Sequence, residues 1–197
     1  MRASTRREFV AGPAGRIECA VDRPESTARG MALIAHPHPL FGGTLDNKVV
    51  QTLARSFLEL GYETWRPNFR GVGATEGVHD EGRGELEDLH AVLMHLSVER
   101  PVLAGFSFGA AVQARLAQRT PPERLVLVGV GVTRLQAPAV PADTLVIHGE
   151  NDDTVPLAAV LEWARPQELP VILVPGADHF FHRKLHVLRT IVTSNWK

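Results

Sequence analysis

Apolar runs of strand length alternate along this chain with longer stretches whose apolar residues recur every three or four positions. Residues 7–22 read as two strands turned at Gly12-Pro13-Ala14-Gly15. Continuous apolar strands follow at 31–35, 62–69, 101–104, 125–130, 144–148 and 171–174. Helical spacing fills the gaps. Val49, Val50, Leu53, Ala54, Phe57 and Leu58 share one face, with Asp46 or Asn47 as the cap and Gly61 as the stop. A second face carries Leu86, Leu89, Val92, Leu93 and Leu96, and further helices are predicted at 110–117, 157–164 and 184–196. Strands without a polar side need cover above and below, so the pattern predicts an α/β fold. The expected architecture is a doubly wound, mostly parallel sheet with helices on both faces, one domain over 1–197. No repeat, low-complexity tract or linker interrupts it.

Composition narrows the function classes. The chain has 197 residues, 44% of them hydrophobic and 22% charged, as ordinary globular proteins do. A formal charge of −1 gives no electrostatic reason to expect nucleic acid or an anionic membrane as partner. A single cysteine, Cys19, leaves no internal disulfide and no cysteine-rich metal site, and its strand-like setting reads as a buried structural thiol. The basic start, Met1 to Glu8, is not followed by a continuous apolar segment, and no run has the length of a membrane span. The expected location is cytoplasmic, with no membrane partner.

Candidate chemistry centres on Gly105-Phe106-Ser107-Phe108-Gly109. It lies between an apolar strand and a helix-like stretch, so Ser107 sits at the apex of a sharp turn with its hydroxyl projecting from the sheet edge. Glycine on either side avoids a Cβ collision inside the turn. The Phe108 N–H opens the helix and can hold a developing oxyanion. A serine hydroxyl needs a base, and the base needs a partner to orient it. In a doubly wound sheet both belong in loops after later strands. The segment from His148 to Pro156 follows one such strand and offers Asp152 and Asp153, while Pro175-Gly176-Ala177-Asp178-His179 follows the next. Serine, acid and histidine thus run in the order Ser107, Asp152, His179.

These segments resemble the α/β-hydrolase superfamily across nearly the whole chain. His148-Gly-x-x-Asp152-x-x-Val155-Pro156 is similar to the family's acid loop, which assigns the acid to Asp152 over Asp153, and Gly176-x-x-His179 is similar to its histidine loop. The stretch from His36 to Asn47 and Asn68-Phe69-Arg70-Gly71-Val72-Gly73 resemble small bacterial hydrolases related to dienelactone hydrolases and lidless carboxylesterases. Dienelactone hydrolase has cysteine where this chain has Ser107, which favours ordinary ester chemistry. Pro37 and Pro39 carry no N–H, so the second oxyanion donor is His38 or Leu40. Similarity to the dienelactone hydrolase loop favours Leu40. Only residues 131–142 separate two strands where many lipases insert a cap, so no lid and an open site are expected.

Other residues have plainer readings. His182 and His186 fit solvated positions near the last helix, and Asp178 stands too close to His179 in sequence to orient it. His36 and His38 lack further ligands at metal-binding spacing, so one of them is expected beside the nucleophile turn. His148 is expected to hydrogen-bond within the acid loop, and Asn68 and Arg70 to brace theirs. Some of Phe41, Phe106, Phe108, Phe180 and Phe181 are expected to line an acyl pocket.

The resulting expectation is a cofactor-free, metal-free serine hydrolase acting on a small-molecule carboxylic ester of small or short acyl chain. A thioesterase, acyltransferase or peptidase would use the same triad, and an idle scaffold acting as a binding protein is the alternative of another class. A homodimer on an edge strand or the terminal helix is left open.

Overall fold

The computed structural model describes residues 5–196, so the first residues of the basic N-terminal stretch lie outside it. One eight-stranded sheet runs in the order β1-β2-β4-β3-β5-β6-β7-β8. β1 (Arg6–Gly12) and β2 (Gly15–Asp22) form the predicted hairpin, and β2 meets β4 (Tyr62–Pro67) antiparallel. The other neighbours are parallel: β4 with β3 (Gly30–Ala35), then β5 (Val102–Phe106), β6 (Arg124–Val128), β7 (Leu145–Gly149) and β8 (Val171–Val174).

Both faces of the central strands are apolar, and each face has its own core. On β3, Met31, Leu33 and Ala35 enter one core while Ala32 and Ile34 enter the other; on β6, Leu125 and Leu127 oppose Val126 and Val128. Helices α2 (Arg83–Leu96), α3 (Phe108–Leu116) and α4 (Leu157–Ala164) supply residues to the first core. Helices α1 (Lys48–Glu59) and α5 (Leu185–Ser194) supply the second. This two-sided burial explains why the strand sequences lack the polar alternation of a half-exposed sheet.

Local signals account for most boundaries. Asn47 caps α1, its Oδ1 accepting N–H bonds from Val49 at 2.9 Å and Val50 at 3.4 Å. Gly61, at φ +87°, turns the chain out of that helix in a conformation that favours glycine. Cys19 is fully buried, and burial beside Glu8 and Glu18 pushes its thiol up to about 12. No helix among the described residues is long and apolar enough to cross a membrane.

The β6–β7 connection is short and tied down. Trp163 Nε1 donates to the Ala137 carbonyl at 3.1 Å, and Gln118 Nε2 donates to that of Ala139 at 2.7 Å. Among the described residues no lid domain interrupts the fold, as the sequence predicts. Because β3 to β8 run parallel, the loops after β3, β5, β6, β7 and β8 gather at one edge of the sheet. The order reverses where β3 lies between β4 and β5, which opens a crevice between the loops after β3 and β5.

Candidate active site

Ser107 stands at that crevice. Its backbone is at φ +56° and ψ −117°, a left-handed conformation that L-residues adopt at a cost. Surrounding hydrogen bonds hold it there. Ser107 N–H donates to the Val128 carbonyl at 2.9 Å, and the Ser107 carbonyl accepts from Gly131 at 3.1 Å and Ala110 at 3.1 Å. The flanking glycines are demanded by close packing. A Cβ on Gly105 would lie 2.5 Å from the Gly109 carbonyl oxygen, and one on Gly109 would lie 2.6 Å from that of Ala35. Gly109→Ala is therefore expected to cost roughly 2–3 kcal/mol by overpacking backbone that cannot yield. Urea unfolding checks this, and a midpoint equal to that of the unmodified protein would refute it.

A hydrogen-bonded line runs from Ser107 into the protein. His179 Nε2 lies 3.0 Å from Ser107 Oγ, and His179 Nδ1 lies 2.7 Å from Asp152 Oδ2. The three residues sit in the loops after β5, β8 and β7. With the Nδ1–H given to the carboxylate, neutral His179 presents its Nε2 lone pair to the serine hydroxyl. Asp152 Oδ1 accepts N–H bonds from Thr154 at 3.0 Å and Val155 at 2.7 Å, which orients the carboxylate toward His179. Burial opposes ionisation of Asp152, but the His179 and Val155 hydrogen bonds and the nearby imidazoles outweigh it. Its carboxyl is held below the usual carboxylate range. His179 is itself buried, packed between Phe106 at 4.8 Å and Phe180 at 5.2 Å. Such a line can take a proton from a hydroxyl and return it to a leaving group.

The competing residues fall elsewhere. Asp153 is exposed, and Asp178 pairs with exposed His182 at 2.6 Å rather than with His179. His186 is exposed on α5. His148 donates from Nε2 to the Val155 carbonyl at 3.0 Å, bracing the acid loop as expected. Arg70 grips Asp88 with two bonds of 2.8 Å, and Asn68 bridges Glu18 and the Leu45 N–H. These two brace their loops rather than reach the site.

The proline-flanked loop after β3 forms a single 3-10 turn, Pro39–Phe41. Leu40 is exposed, and its N–H donates to His38 Nδ1 at 3.3 Å, a long bond. His38 stays a neutral acceptor because burial, His79 and Arg134 all lower its pKa. Its ring packs at 4.8 Å against both Phe108 and His79. His79 in turn bonds the fully buried Glu85 at 2.7 Å. The sequence reading missed this His79–Glu85 pair, which no periodicity or motif marks.

Of the two histidines in this loop, His38 meets the nucleophile turn through the Phe108 ring, and His36 is fully buried against Phe69. Its Nε2 accepts the Phe69 N–H at 2.9 Å and its Nδ1 donates to the Pro37 carbonyl at 2.7 Å. Complete burial, only partly offset by the Pro37 bond, pushes its pKa down to about 4 from an ordinary 6.5. Between those values the unfolded chain carries the extra proton, so stability is full above pH 6.5 and declines as pH falls toward 4. The loss is on the order of 3 kcal/mol. Urea unfolding at pH 7 and pH 4.5 tests this, with His36→Gln expected to lose less between the two. An equal loss in both proteins would refute it.

A cavity of about 290 Å³ opens beside Ser107 and His179. Phe41, Phe108 and Phe180 line it, whereas Phe106 and Phe181 are core residues beneath the site. Asn47, Thr133, Arg134 and Thr154 also line the cavity, and of these only Asn47 carries a sequence signal, that of a helix cap. Among the described residues, no group of three or more His, Cys, Asp or Glu side chains converges as metal ligands would.

Comparison with known proteins agrees with this geometry. The α/β hydrolase fold family matches residues 38–139. An α/β serine hydrolase homologue from Coxiella burnetii is 37% identical, covers 100% of both chains and superposes with a TM-score of 0.90. A lidless α/β serine hydrolase from Xanthomonas campestris is 36% identical over 99% of this chain and 94% of that one, with a TM-score of 0.89. An uncharacterized protein of Rickettsia prowazekii is 33% identical over 89% of this chain and 82% of its own length. Sequence, sheet order and the turn that carries Ser107 point the same way: this chain belongs to the α/β-hydrolase family, among its lidless members.

Proposed function

We propose that this protein is a serine esterase for small, short-acyl carboxylic esters, acting through Ser107, His179 and Asp152. The observation that carries the reading is the line from Ser107 Oγ to His179 at 3.0 Å and on to Asp152 at 2.7 Å, opening on a cavity walled by aromatic rings. His179 Nε2 takes the hydroxyl proton as Ser107 Oγ attacks the ester carbonyl, and Asp152 stabilises the imidazolium. The Phe108 N–H, at the first position of α3, has no intrahelical acceptor and is offered to the oxyanion. Leu40 N–H is the proposed second donor, exchanging its long bond to His38 for the developing charge. Collapse passes the proton from His179 to the leaving alcohol. A water deprotonated by His179 then attacks the acyl-enzyme and releases the acid.

No metal or dissociable cofactor takes part in these steps, and the partner is the small-molecule ester itself. A lone, buried cysteine with no bridging mate suits action in the reducing cytoplasm. The open, lidless mouth and the modest cavity favour short acyl groups.

Labelling with a fluorophosphonate probe and peptide mapping tests the nucleophile, alongside hydrolysis of p-nitrophenyl esters from acetate upward. Modification of Ser107 and activity that falls as the acyl chain lengthens are expected. No modification of the folded protein would overturn the reading. Faster turnover of matched thioesters or aminopeptide substrates would move the activity to those bonds.

A further inference from the structure

The hydrolytic steps leave one charged group of the cavity unused. Arg134, in the loop after β6, lines the same cavity as Ser107. Its guanidinium lies 4.7 Å from the centroid of the Phe41 ring. Stacking of this kind occupies the face of the guanidinium and leaves its in-plane N–H groups free to bind. Several other arginines face carboxylates, namely Arg23, Arg66, Arg70 and Arg189. Among the described residues Arg134 forms no such ion pair.

The cavity wall has no acid of its own. Among the described residues no aspartate or glutamate lines it, since Asp152 lies buried behind His179. Glu81 shares the adjoining groove with Arg134, but its carboxylate faces His79, 3.5 Å from Nε2. The cavity therefore offers a cation, apolar rings and a nucleophile, without an internal anion to satisfy the cation. Arg134 itself is exposed at the mouth of the cavity, so its charge meets an incoming anion there while the apolar rings hold the rest of the ester.

We infer that Arg134 sets the specificity of this site by binding esters that carry a carboxylate or phosphate group. The inference rests on the esterase reading above, because it concerns which ester reaches Ser107. A carboxylate or phosphate oxygen pair matches the forked donors of a guanidinium, which lysine cannot reproduce.

The test pairs mono-p-nitrophenyl glutarate with p-nitrophenyl pentanoate, matched in length and differing in charge. In the unmodified protein kcat/KM should favour the glutarate ester by about tenfold, as expected of a hydrogen bond to a charged group. Arg134→Gln should erase that ratio, mainly through KM, and Arg134→Lys should keep only part of it. A ratio near one, or one unchanged in Arg134→Gln, would overturn the inference. Inhibition by free glutarate compared with inorganic phosphate tells which anion the site prefers. If neither ester is hydrolysed, the esterase reading has failed, and calorimetric titration with glutarate then decides the inference alone. Binding weakened about tenfold by Arg134→Gln would sustain it, and absent or unaltered binding would overturn it.

Discussion

Ser107→Ala is expected to lower kcat for ester hydrolysis by about 10⁵-fold while leaving the fold and the urea midpoint nearly unchanged. The size of the loss follows from what the hydroxyl does. It is the atom that bonds to the substrate and the hydroxyl that faces His179 Nε2; the Thr154 hydroxyl bonds Asp153 instead, and Cys19 lies buried in β2. The residual rate would come from the oxyanion donors and from binding. Alanine retains the backbone hydrogen bonds that hold the turn at φ +56°, so the strained geometry persists in the variant. The measurement is p-nitrophenyl acetate hydrolysis by stringently purified variant, with fluorophosphonate labelling alongside. Activity within tenfold of the unmodified protein would remove Ser107 as nucleophile.

Asp152→Asn should cost about 10⁴-fold in kcat, with KM little altered. The argument is one of hydrogen-bond direction. The Thr154 and Val155 N–H groups both donate to Asp152 Oδ1, so an asparagine at this position directs its carbonyl oxygen to them. Its amide N–H₂ then faces His179 Nδ1, which can no longer donate. The imidazole is driven to the tautomer with its proton on Nε2, and no base remains opposite Ser107 Oγ at 3.0 Å. Asp152→Ala would confound this by leaving the two backbone donors unsatisfied and loosening the loop before β8's histidine. The asparagine variant keeps the loop and changes the proton. A loss below tenfold would mean that the carboxylate does not govern His179.

The elements were legible because their signals are local. Residues 157–164 and 171–174, read from spacing alone, coincide with α4 (Leu157–Ala164) and β8 (Val171–Val174). β4 (Tyr62–Pro67) stops short of the predicted 69: the Asn68 N–H still reaches the Glu18 carbonyl on β2, but the Phe69 N–H turns to the His36 ring. The last helix likewise narrows to α5 (Leu185–Ser194), while Trp196 packs beyond it against Phe57 and Tyr62. Such ends depend on partners far away in the chain, and no local pattern contains them.

Candidate residues divide along the same line. Ser107, Asp152 and His179 could be picked out because each follows a strand, and parallel strands bring those loops to one edge. Which phenylalanines line the cavity was not legible. Phe106 and Phe108 flank the same serine, yet strand alternation buries the first while the helix start turns the second toward the cavity. Loop similarity points to Leu40 as a donor, and the folded loop directs its N–H to the His38 ring.

By itself, then, the sequence determined the alternation of strands and helices, the two-sided core and the order of the three chemical loops. These follow from hydrophobic period, turn residues and capping, which act over a few neighbouring positions. Only the tertiary structure decided the hydrogen-bond directions around Asp152, the His79–Glu85 pair behind His38, and the meeting of Arg134 with Phe41 beside the serine. Those contacts join residues distant in sequence, and their geometry exists only once the sheet has brought separate loops to a common edge.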